Sequence, residues 1–101
     1  MSSLERQFHK AMVAIYERAK ADCGYNAGYF LRMLSEKGGL QTARQLLHTP
    51  DISSGFTELW QCGRLDLTVE AHVLKPEYAE LFTEEEREIA ASRLRKHGYN
   101  V

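Results

Sequence analysis

The chain has little of what a membrane span, an export signal or a disordered segment requires. Its longest apolar stretches fall far short of the roughly 18 residues needed to cross a bilayer. Its first residues, Met1-Ser2-Ser3-Leu4-Glu5-Arg6, lack the basic start and apolar run of a signal peptide. Prolines number two in 101 residues, so little interrupts regular structure. Cysteines also number two, Cys23 and Cys62, 39 positions apart. They could pair, but without an export signal two buried thiols in a cytoplasmic protein are the expectation.

Charge of one sign is missing as well. The net charge is −1, whereas a dedicated nucleic-acid binder usually carries a basic balance or stripe that neutralises phosphates. The balance hides an asymmetry. Residues 1–50 hold seven Lys/Arg against four Asp/Glu, and residues 51–101 hold six against ten. What is present in quantity is apolar side chain, 44% of the chain, which is enough for one core and too much for disorder.

Those apolar residues follow a helical period. Leu4, Phe8, Ala11, Met12, Ile15 and Ala19 fall on one stripe, and Ser2 with Glu5 has capping-box spacing. Gly24 ends this first helix, Asn26 is the expected cap of a second, and Gly38-Gly39 stops that one. A short helix from Leu40 to His48 ends at Pro50, and Ser53-Ser54 caps another that carries Phe56, Leu59 and Trp60. In Leu65 to Val69 apolar and polar residues alternate as in a strand, whereas Thr68, Val69, Val73 and Leu74 also fit a short helix. Thr68 as a cap favours helix, because no partner strand is visible. Pro76 opens a helical turn through Leu81-Phe82. Thr83 and Glu86 form a capping box for the last helix, which carries acids at its start and bases at its end.

The expectation is therefore an all-α fold, a compact irregular bundle of six or seven short helices forming one domain over residues 1–101. Trp60, Phe30, Phe56, Phe82, Leu46 and Leu59 are the expected core.

No motif of known chemistry stands out. CxxC, HExxH and GxSxG are absent, and the four histidines have no pair at helical spacing. The glycine turns at Gly24–Gly28 and Gly38–Leu40 match no phosphate-binding fingerprint. Neither a catalytic residue nor a metal ligand is assigned, and no cofactor is implied. The candidates for binding are Tyr25 and Tyr29, close behind Gly24 and interleaved with Arg32, together with Arg44 and Arg64. Aromatics beside cations can stack on bases or anchor a protein partner. Asp66, Glu70 and His72 form the one acidic–imidazole cluster.

The segments Gly55-Phe56-Thr57-Glu58-Leu59-Trp60, Gly63-Arg64-Leu65-Asp66-Leu67-Thr68-Val69-Glu70, Leu81-Phe82 and Arg93-Leu94 through Gly98-Tyr99 resemble a small bacterial helical domain family of uncharacterised function. With Gly24 to Leu47 included, the resemblance covers most of the chain. It implies a domain that occurs alone or beside restriction and defence-type modules, and it carries no catalytic motif across.

Together these features favour a non-enzymatic interaction module that docks on a protein partner in a nucleic-acid-handling or defence setting. One alternative is direct nucleic-acid binding through the basic first half. The other is a small metal-dependent hydrolase or nuclease using Asp66, Glu70 and His72. A homodimer burying part of the first helix is compatible with each, and none involves a membrane.

Overall fold

Local capping explains where most of the helices begin. The computed structural model describes residues 2–101. In it Ser2, Ser53, Thr68 and Thr83 each accept a backbone N–H three residues on, and so start α1 (Ser3–Cys23), α3 (Ser54–Gln61), α4 (Val69–Val73) and α5 (Glu84–Lys96). Each such cap is worth about 1 kcal/mol. The exception is α2 (Gly28–Leu47), which follows Ala27 with no side-chain cap, so Asn26 does not play the expected role. Two 3₁₀ turns, Leu65–Leu67 and Pro76–Leu81, complete the chain. The described residues contain helices and no strand, and the 65–74 segment resolves as a 3₁₀ turn followed by α4. The all-α expectation holds. The radius of gyration, 12.4 Å, is close to the roughly 13 Å of a compact chain this long.

α1 and α2 form an antiparallel hairpin about the corner at Gly24, whose φ of 65° closes the end of α1. Midway along, α2 kinks at Gly38 (φ 80°, ψ 166°), where the sequence places a helix end. The adjacent Gly39 N–H donates to His9 Nδ1 at 2.9 Å. A Cβ on Gly39 would lie 2.7 Å from the His9 Cα, so only glycine permits this crossing.

The main core gathers Phe8, Met12, Leu34, Ala43, Leu47, Val73, Tyr78 and Phe82. Phe8 is its centre, edge-on to Tyr78 and Phe82 at 5.1 and 5.2 Å. Two satellite clusters lie apart from it, one of Ala19, Leu59 and Leu67, the other of Phe56, Leu65 and Leu94. Of the expected core residues, Phe56, Phe82 and Leu59 are buried, and Phe30 and Leu46 pack half-buried against the main core. Trp60 is not core: it is 45% exposed and lies edge-on against the His97 ring at 4.8 Å. The eight-residue α3 buries a single stripe, and Phe56 and Leu59 fill it.

The cysteines also depart from expectation. Cys23, half-buried at the end of α1, and Cys62, exposed just after α3, form a disulfide. The folded chain brings their Cα atoms to 6.0 Å, within the range a disulfide spans. The two cysteines are joined and Cys62 is exposed, so the expectation of two buried, separate thiols does not hold.

Candidate functional site

An apolar concavity opens where α1, the 24–27 corner, α2 and α3 meet. One turn of α1 supplies Ile15, Tyr16 and Ala19, and the first turns of α2 supply Tyr29, Phe30 and Met33. These residues recur at one- and three-residue steps, which puts each set on the helix face turned toward the other. Tyr25 and Ala27 from the corner close one end, and Leu46 from beyond the kink extends the floor. The start of α3 adds Ser53, Gly55, Phe56 and Leu59, and the Leu67–Glu70 stretch completes the wall. The cavity holds about 90 Å³. Its lining is predominantly apolar, and Tyr29, 69% exposed, stands at its rim.

One wall residue is charged. Glu70 is 3% exposed and receives Arg93 Nη1 on Oε2 at 3.2 Å. The same guanidinium donates to the carbonyls of Leu46, Leu47 and Thr49 at 3.1, 3.3 and 2.6 Å. Burial pushes the Glu70 carboxyl up from the ordinary glutamate range, and Arg93 only partly opposes this. Glu70 is thus a fixed, paired group whose position is set by three helices.

The sequence candidates divide. Tyr25 and Tyr29 come together at the pocket, and Arg32 is exposed one turn beyond Tyr29 on α2. Arg44 lies elsewhere, donating to Leu81 O at 2.9 Å with Glu86 3.8 Å away. Arg64 is also engaged elsewhere, bridging Asp66 at 3.0 Å and Asp22 at 2.6 Å. Its hydrogen bonds to Asp66 and Asp22 hold the guanidinium pKa up, and Arg64 holds both carboxyls below their usual range. Arg64 thus forms an ion-pair corner with Asp22 and Asp66, and Glu70 takes no part in it.

Asp66, Glu70 and His72 do not assemble into one site. Thr68 ends the 3₁₀ turn and starts α4, so Asp66 and Glu70 belong to different elements. Asp66 faces Arg64, and Glu70 faces Arg93. His72 is buried between Phe8 and Tyr78, with ring centroids 5.3 and 5.1 Å away, and its Nε2 has no hydrogen-bond partner. Among the described residues no three His, Cys, Asp or Glu side chains converge as a metal site would need.

Arg93, Ile15 and Tyr16 at the site, and Glu86 away from it, carry roles that the sequence candidates did not include. Arg93 looks like an ordinary helix-end cation, yet it organises the pocket wall from the far end of the chain. Glu86 does more than cap α5, since its Oε2 meets His48 Nε2 at 2.9 Å. The α1 wall, Ile15 and Tyr16, carries no signal beyond its helical stripe. Comparison of the chain with models of known families, with curated proteins and with solved structures found no match.

Proposed function

We propose that this domain is a non-enzymatic interaction module that receives one apolar anchor side chain of a protein partner in the α1–α2–α3 pocket. The supporting observation is an open, apolar cavity with an exposed aromatic at its mouth. Buried aromatic and aliphatic anchors in such pockets carry most of the energy of many interfaces. Size and chemistry favour this occupant. An apolar cavity of roughly 150 Å³ accommodates benzene, so about 90 Å³ suits the tip of a Leu, Ile or Met and is too small for a nucleotide. No cation lines the walls to meet a phosphate, because Arg44 and Arg64 are held elsewhere.

The nucleic-acid-handling or defence setting implied by the sequence resemblance belongs to the same proposal as the setting of the partner. A cytoplasmic location belongs to it too, and there a disulfide such as Cys23–Cys62 is a transient, redox-responsive bond rather than a permanent staple.

The test is affinity capture from the source cell's lysate with the wild-type domain and Tyr29→Glu, each with and without nuclease. The expected result is a protein retained by wild type in both arms and lost by Tyr29→Glu at unchanged thermal stability. Retention that vanishes after nuclease would replace this reading with nucleic-acid binding. Retention undiminished in Tyr29→Glu would remove the pocket from it.

A further inference from the structure

Two ties cross the junction between α1 and α3, and both are reversible. One is the Cys23–Cys62 disulfide and the other is Arg64 Nη1 on Asp22 Oδ2 at 2.6 Å, from residues flanking those cysteines. Otherwise α1 and α3 approach each other little along their backbones. The apolar contact beneath the junction is the satellite cluster of Ala19, Leu59 and Leu67, with Cys23 and Tyr25 packed against it, separate from the main core around Phe8. Ala19, Tyr25, Leu59 and Leu67 all line the pocket. The bond therefore fastens one wall of the cavity, and of its two residues Cys62, exposed just after α3, is the one on the side open to an incoming thiol.

We infer that Cys23–Cys62 is a thiol–disulfide exchange site, that its co-substrate is a dithiol reductant, and that its reduction loosens the α1–α3 wall of the pocket. A thiolate of the reductant attacks the Cys62 sulfur, the Cys23 thiolate leaves, and a mixed disulfide forms. The reductant's second thiol then displaces Cys62. The dithiol gives up two electrons and two protons and becomes a cyclic disulfide, and the protein gains two thiols. The Arg64–Asp22 pair remains and keeps the corner close to its oxidised position, so re-oxidation finds the sulfurs near each other. The inference goes beyond the docking proposal and does not depend on it, because its readout needs no partner.

The experiment uses the full chain with dithiothreitol as the reductant and no denaturant. Alkylation and mass measurement score the thiols, and hydrogen exchange scores local opening. The expected result is reduction of the folded protein with helix content kept. Amide exchange in residues 24–30 and 54–61 then rises about tenfold, while α5 and the first half of α1 are unchanged. The double variant Cys23→Ser/Cys62→Ser reproduces that pattern without reductant. Arg64→Ala raises exchange in the same segments more in the reduced protein than in the oxidised one. A bond reduced only when the whole chain unfolds, or one whose reduction alters exchange nowhere or uniformly, would overturn the inference.

Discussion

Arg93 Nη1 donates to Glu70 Oε2 at 3.2 Å, and the same guanidinium closes the carbonyl end of α2, so a single side chain of α5 ties α2 and α4 to it. Both partners are largely buried, with side-chain exposures of 12% and 4%. Removing one member of such a pair leaves the other charge stranded. Arg93→Met is expected to cost about 3–5 kcal/mol in urea denaturation. Glu70→Gln is expected to cost much less, because the amide oxygen still accepts from Arg93. Equal losses in the two variants would contradict the assignment of Arg93 as the hub.

Two buried groups on α4 pull stability in opposite directions with pH. Burial, then the charge of Lys75, lowers the His72 pKa from 6.5 to about 4. The folded chain therefore holds His72 neutral while the unfolded chain takes up a proton. The contribution of neutral His72 is fully present above pH 6.5 and is lost as pH falls from there toward 4. Glu70, raised by burial, behaves oppositely: its contribution is present below 4.5 and is lost as pH rises through its folded value. His72→Phe is expected to remove the acid-side loss, about 2 kcal/mol between pH 7 and pH 5. Denaturant melts at the two pH values check this, and an unchanged slope in His72→Phe would refute it.

Phe8 and Trp60 rank differently in the structure than their sizes suggest. Phe8 is 0% exposed at the centre of the main core, so Phe8→Ala should cost about 3–5 kcal/mol. Trp60, 45% exposed and in a T-shaped pair with His97, should cost only about 1–2 kcal/mol as Trp60→Ala. Thermal or urea melts of the pair measure the difference, and a Trp60 loss as large as that of Phe8 would place Trp60 in the core after all.

Gly39→Ala tests the crossing of α1 and α2. The added methyl meets the His9 backbone and strains the Gly39 N–H to His9 Nδ1 bond, for an expected loss of about 1–3 kcal/mol. Gly28→Ala is the control, since nothing lies within 4 Å of its Cβ. Its stability should hold or rise slightly, by a few tenths of a kcal/mol.

The parts of this fold legible in the sequence are those governed by neighbours in the chain. Ser2, Ser53, Thr68 and Thr83 cap helices because a side-chain oxygen reaches an N–H three residues away. Gly24 and Gly38 mark breaks because each needs positive φ. The parts not legible depend on pairs far apart in sequence. Arg93 meets Leu46 and Thr49 across more than forty residues, and Cys23 meets Cys62 across 39, after all of α2 and α3 have intervened. Trp60 misled because, four residues after Phe56, it shares the apolar side of α3, yet it falls in the last turn of that short helix and stays 45% exposed. At the site, Tyr25 and Tyr29 were visible as aromatics behind a glycine turn. Arg44 and Arg64 were not distinguishable from free surface cations until their carbonyl and carboxylate partners came into view.

The docking claim is tested most directly by placing the photo-crosslinking residue p-benzoylphenylalanine at position 29 and irradiating the domain in lysate. The prediction is one discrete protein adduct, resistant to nuclease, whose cross-linked peptide carries a Leu, Ile or Met beside the attachment point. The adduct should disappear when Met33→Asp is added to the photo-labelled chain. No protein adduct, a nucleic-acid adduct, or an adduct indifferent to Met33→Asp would contradict the account.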